Sequence, residues 1–347
     1  GRHRGRGRRR VGLGGVSVTA VGTKDGDEND GKTYWRTDIA VPAAGEVAVV
    51  GKNIRSISAN GQLNLIGGTE LRRRQVESTG SPMSESMGTL AEQISLPSGD
   101  LLVAPQPVGK GWMLFGDGGV HSNQQIISLK TPVGESIIPA LPFGSGVLAA
   151  NPAGTVELLR TDSGQRLVHP FQPSVKVGKQ ISWLRPVLYN HDEFIITDRS
   201  GRMFRIGIDA LPQPHLASRS EHQLDVFPHS APAVAGDTLY VNVGGGVVVS
   251  RGLPDFSGGQ RWELSGNVNW GPQRVGDSVL VSSDAGELWC WNEADLQWQS
   301  KLPSWPIAGT VLQTDGKFVM SLSKGEIVAL SVETGEEIFR RDVGEPL

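Results

Sequence analysis

Seven times along this chain a turn residue is followed three positions later by an apolar residue and ten positions later by a glycine. The pairs are Gly51 and Gly61, Gly99 and Gly109, Gly144 and Gly154, His191 and Gly201, Gly236 and Gly246, Gly276 and Gly286, and Asp315 and Gly325. The apolar positions between them are Ile54, Leu102, Val147, Phe194, Leu239, Val279 and Phe318. First anchors lie 39 to 48 residues apart, a spacing in the range expected of propeller blades.

Each unit reads as four short strands. In the last, IAGTVLQ runs to a turn at Asp315-Gly316 and KFVMSLS returns; Lys324-Gly325 turns into EIVALSV, and Glu333-Thr334-Gly335 into EEIFRRDV. Apolar residues alternate as half-buried strands require, and glycines supply the positive φ of tight hairpins. A four-stranded unit cannot bury both faces alone, whereas a ring of units can. The repeat therefore predicts an all-β propeller of seven four-stranded antiparallel blades. The blades fall at about 40–80, 88–130, 135–175, 182–225, 229–266, 268–302 and 304–345. Residues 15–38 read as a partial eighth blade, and residues 1–14 as a basic, disordered tail.

Outer strands carry a second mark, a small residue four positions before a bulky one. Gly31 precedes Trp35, Gly258 Trp262, Ala294 Trp298 and Gly335 Phe339, with Gly164 and Val168 a weakened copy. A large ring there can cover the gap to the neighbouring blade.

Composition excludes several functions. Residues 1–10 hold six of the 33 basic residues, leaving 27 against 36 acidic ones, so the folded body is acidic and not a nucleic-acid surface. No run approaches the apolar length of a membrane helix. Cys290 is the single cysteine, so no intrachain disulfide or cysteine-based zinc site exists. Arg8-Arg9-Arg10 followed by VGLGGVSVTAV has the outline of a signal peptide, without an initiating Met or an A-x-A site.

Residues 26–33 match the phosphate-loop pattern letter for letter. Asp27, Glu28 and Asp30 would repel the anion, however, and TYWRTDIAV is strand-like where a helix must begin. As a calcium loop the same segment has Asp30 where the glycine belongs and Arg36 where the bidentate glutamate belongs. The seven histidines show no metal-ligand spacing, and there is no G-x-S-x-G for a nucleophilic serine. Arg72-Arg73-Arg74 reads as a solvated turn. In Trp289-Cys290-Trp291, alternation puts the two tryptophans on one face and Cys290 on the other.

The phrases AGELWCWNEADLQWQSKL (residues 285–302) and KGEIVALSVETGEEIFRRDVGEPL (residues 324–347) resemble the repeat of the PQQ-like, quinoprotein-type propellers. That family includes the non-enzymatic BamB-type outer-membrane assembly propellers. The resemblance spans residues 15–347 and implies fold more firmly than function. PQQ-dependent dehydrogenases of the family are longer, with eight well-formed tryptophan repeats and an adjacent cysteine pair. This chain has one cysteine and eroded outer-strand marks, so no cofactor, metal or catalytic residue is expected.

The resulting expectation is a non-catalytic, monomeric interaction scaffold of the periplasm, cell envelope or secreted space, with a protein or peptide partner. The alternatives are a PQQ- and calcium-dependent dehydrogenase fragment, and a sensor or docking domain of a larger protein. Three repeats place Trp close before Pro at the start of the innermost strand: Trp183, Trp270 and Trp305. They are either inter-blade packing or an aromatic rim, partly exposed on one face, that grips a partner.

Overall fold

The computed structural model describes residues 141–160, 163–174, 180–302 and 306–342, and before residue 141 the backbone of the strands. The acidic loop before Thr33, Arg72–Arg74 and Trp305 lie outside the described residues.

Thirty strands are described, and no helix. The first sheet is three-stranded: β1 (Arg9–Gly14), β2 (Ser17–Gly22) and β3 (Thr33–Asp38). The next is β4 (Ala48–Val50), β5 (Asn53–Ile57), β6 (Gln62–Ile66) and β7 (Leu90–Ser95), followed by β8 (Gln106–Val108), β9 (Gly111–Gly116), β10 (Gly119–Ser122) and β11 (Ile126–Ile127). A second three-stranded sheet holds β12 (Leu141–Phe143), β13 (Gly146–Ala150) and β14 (Val156–Arg160). Four-stranded sheets resume with β15 (Val187–Leu188), β16 (Glu193–Thr197), β17 (Arg202–Asp209) and β18 (His215–Gln223). Then come β19 (Ala233–Ala235), β20 (Thr238–Asn242), β21 (Val247–Gly252) and β22 (Arg261–Glu263). The last two are β23 (Val268–Val275), β24 (Ser278–Ser283), β25 (Glu287–Asn292) and β26 (Asp295–Lys301), and β27 (Ile307–Thr314), β28 (Lys317–Leu322), β29 (Glu326–Ser331) and β30 (Glu337–Asp342). Within each sheet, strands follow chain order and pair antiparallel, as hairpin meanders do.

The chain forms two compact units. One joins Gly1–Ser98 to Ile307–Leu347, so the C-terminal sheet groups with the two N-terminal ones; the other is Gly99–Pro306.

In the second unit the sheets stack face to face over separate apolar cores. Phe143, Leu148, Trp183, Phe194, Ile196 and Phe204 fill the core between the β12–β14 and β15–β18 sheets. Ile195, on the other face of β16, joins Val234, Leu239 and Val241 in the next core. Tyr240, Val248, Val279 and Trp291 form the third. A second strand so placed is buried on both faces: β20, with Leu239 and Val241 in one core and Tyr240 in the next, is buried at every position instead of alternating. Each fully buried Phe, Val, Leu or Ile contributes about 1.5–3 kcal/mol. Trp262 of β22 packs beside Tyr240 and Trp291, with ring centroids 5.7 and 5.4 Å away, covering the inter-sheet gap as its place in the repeat predicts.

Local chemistry fixes the turns between second and third strands. Asp198 accepts the backbone N–H of Ser200 (2.8 Å) and Arg202 (3.1 Å) on Oδ1 and the Arg202 guanidinium (2.8 Å) on Oδ2, closing the β16–β17 hairpin. Asn151 and Asn242 accept N–H groups of the corresponding turns in their sheets.

Three boundaries differ from the sequence reading. Arg9–Gly14, expected in a disordered tail, is β1, because main-chain pairing with β2 does not depend on apolar side chains. The sheet expected within 40–80 takes its fourth strand from β7, beyond the polar stretch that follows Ile66. Among the described residues the sheet of β12–β14 has no regular fourth strand. Residues 165–171 cover it irregularly: Val156 and Phe171 exchange N–H···O bonds of 2.8 and 3.0 Å, and Leu167 donates to Leu158 at 2.8 Å. The strand β3 begins at Thr33, where a phosphate loop would require a helix.

Candidate functional site

Loops joining second to third strands, and linkers joining one sheet to the next, emerge at one end of the sheets. The best-defined cluster there is built around residues 227–230, the linker from β18 to β19. The His229 N–H donates to the Asn242 carbonyl (2.8 Å), and the Ser230 hydroxyl donates to the Gly271 carbonyl (2.9 Å). The Arg199 guanidinium reaches the His229 carbonyl at 3.4 Å. The His229 ring lies against Gly244, where an added Cβ would come within 2.6 Å of Nε2. These contacts hold the linker against the start of β23, where Trp270 is half-buried. Phe227 projects from the same linker and is 67% exposed.

Phe227 is thus an exposed phenyl ring two residues from a hydrogen-bonded backbone. Neighbouring side chains stiffen the same end. Burial works to raise the Glu287 carboxyl, but the bonds it accepts from the Ser265 N–H (2.9 Å) and the Trp289 indole (3.2 Å) hold it below the ordinary carboxylate range. It acts as an ionised clasp on the linker into β23.

The three tryptophans separate. Trp183 is 4% exposed and packs edge-on against Phe204, with centroids 6.0 Å apart. Of its two readings, inter-blade packing holds and the exposed rim is corrected: its ring points between two sheets, where the apolar area it removes from water outweighs leaving its Nε1–H without a partner. Trp270 is the half-buried one, and Trp305 lies outside the described residues. Phe227 escaped the repeat-based reading because it belongs to no strand. Its signal was present in Asp225-Val226-Phe227-Pro228, an aromatic in a linker where Pro stops pairing.

At the opposite end, a shallow cavity of about 380 Å³ is lined by Tyr189, Asn190, Asp237, Thr238 and Glu293. The Tyr189 hydroxyl donates to Asp237 at 2.7 Å, and that bond, with burial, raises its pKa above the ordinary phenol value. It is a hydrogen-bond donor to Asp237. Among the described residues no three His, Cys, Asp or Glu side chains gather as metal ligands.

Sheet order, stacked cores and hairpin chemistry together define an all-β protein of propeller-like construction. Residues 253–347 match the family model described as "Outer membrane protein assembly factor BamB", so that segment carries the repeat which its phrases resembled. No curated protein sequence matches the chain. Among solved structures, dihydro-heme d1 dehydrogenase NirN in complex with DHE aligns with a TM-score of 0.68 at 13% identity, over 100% of this chain and 76% of its own. Apo AztD from Citrobacter koseri aligns with 0.61 at 12% identity, over 98% and 95%. Sqt1 of Saccharomyces cerevisiae aligns with 0.60 at 10% identity, over 96% and 95%. At these identities the likeness is one of fold.

Proposed function

We infer that the chain is a non-catalytic PQQ-like propeller of seven blades, preceded by additional N-terminal strands, that holds a protein partner in the cell envelope. The observation that carries this reading is the match of residues 253–347 to a family described as an outer-membrane assembly factor. The grouping of the C-terminal sheet with the N-terminal sheets in one unit supports ring closure. Residues 165–171 serve as the fourth strand of their blade. The binding end is the one bearing Phe227 and Trp270, and the partner contributes an apolar segment that covers the exposed phenyl ring.

Site-directed photocrosslinking tests this. A photoreactive side chain at position 227 is expected to capture one discrete protein. The same group at Leu296, 42% exposed and beside the β25–β26 turn at the opposite end, is expected not to. Phe227→Ala should weaken the complex by about 30-fold, the effect of a hot-spot ring worth about 2 kcal/mol. Equal capture at both positions, or a complex whose affinity Phe227→Ala leaves unchanged, overturns the assignment of this end.

A further inference from the structure

Main-chain pairing between neighbouring sheets brings two histidines side by side at the edge of the second unit. The His169 N–H donates to the Pro214 carbonyl and the Leu216 N–H donates to the His169 carbonyl, both at 2.9 Å. Residues 169 and 215 are therefore partners of a parallel bridge linking the irregular outer segment of one sheet to β18 of the next. Bridge partners project their side chains from the same face, on backbones about 4.8 Å apart.

Both rings are already oriented by one residue. His169 Nε2 lies 2.7 Å from Gln213 Oε1, and His215 Nδ1 lies 2.9 Å from the Gln213 carbonyl. Each oxygen is an acceptor, so in the neutral ring the contacted nitrogen carries the proton. The lone pairs are left on His169 Nδ1 and His215 Nε2. A ring nitrogen donating to a carbonyl while the other stays free is the support that metal-binding imidazoles use. Two pre-oriented imidazoles suit an ion of the Zn²⁺, Ni²⁺ or Cu²⁺ class and not Mg²⁺ or Ca²⁺. The nearest carboxylate in register is Asp209, opposite His215, but it is engaged by the Arg219 guanidinium at 2.6 Å. The pair thus supplies two ligands and water completes the shell.

We propose that His169 and His215 form a surface site for a divalent transition-metal ion, exchangeable and weaker than four-ligand structural zinc, that staples two adjacent sheets at their outer edge.

The test is calorimetric titration of the full chain with Zn²⁺, paired with melting curves with and without the ion. One Zn²⁺ per chain should bind with micromolar affinity and raise the melting temperature by a few degrees at a large excess over Kd. His169→Ala and His215→Ala should each abolish both effects, and Gln213→Ala should weaken binding by about 10–100-fold. His191→Ala should change nothing, since that exposed ring pairs only with Asp192. Apo melting temperatures of the variants report whether they fold. Absence of saturable binding below 1 mM (about the weakest interaction worth calling a site), or binding retained in either histidine variant, overturns the proposal.

Discussion

Adjacent glycines in the β20–β21 loop offer a controlled test of why the repeat ends on glycine. Gly245 and Gly246 have φ of +58° and +75°, so alanine at either meets the left-handed penalty of about 1–2 kcal/mol. Their surroundings differ. A Cβ on Gly245 meets nothing within 4 Å, whereas one on Gly246 would lie 2.1 Å from the Gly266 carbonyl oxygen and 2.9 Å from that of Leu264. Those atoms belong to the linker into β23, which is held by the Leu264 N–H donating to the Gly246 carbonyl at 2.9 Å. Backbone cannot swing aside as a side chain can, so Gly246→Ala should add an overpacking cost of about 1–3 kcal/mol. With a urea slope of about 3 kcal/mol/M, the Gly246→Ala midpoint falls roughly 0.3–1 M below that of Gly245→Ala. Equilibrium unfolding followed by the fluorescence of the nine tryptophans measures this. Equal midpoints would refute the close-approach explanation and leave backbone conformation alone as the reason for glycine.

Trp183→Ala should cost about 3–5 kcal/mol in urea unfolding, and Trp183→Phe markedly less. Phe227→Ala should stay within about 0.5 kcal/mol of the parent, because its ring is already in water. Cys290 is 1% exposed and burial pushes its thiol up to about 11, so a thiol reagent should modify the unfolded chain but not the folded one. The folded state binds that proton more tightly than the unfolded state. Its contribution is therefore complete below about pH 9 and is lost as pH rises toward 11, which a pH series of melting curves will show as a decline. Reconstitution with PQQ and calcium should yield no dye-linked alcohol oxidation; turnover would favour the quinoprotein reading.

What could be seen in advance follows from where each signal arises. Turn glycines such as Gly201 and Gly246 answer to local backbone conformation, so their spacing located the hairpins directly. Trp289 and Trp291 fell on one face, as alternation requires. The fourth strand β7 was misplaced because a long polar insertion separates it from β6, and only main-chain pairing identifies its sheet. Which of its two readings Trp183 would follow could not be read from the repeat, because equivalent repeat positions do not guarantee equivalent burial. Its neighbouring sheet offers Phe143, Phe194 and Phe204 as a receptive core, which spacing cannot reveal. The histidine pair was invisible in the sequence because His169 and His215 are brought together by a bridge between sheets, not by any ligand motif.

The two compact units differ in how they can be made. Gly99–Pro306 is a single uninterrupted stretch, so all of its sheets can assemble while the chain is still being synthesised. The other unit needs its N-terminal sheets to wait until Ile307–Leu347 has emerged, with the whole of residues 99–306 intervening. During that interval the early sheets stand without the sheet they group with, a condition under which β-rich chains misassociate. A chaperone that engages the first hundred residues would therefore act on the most vulnerable phase of this protein's life, and a late stop codon would strand the beginning of the fold as well as its end.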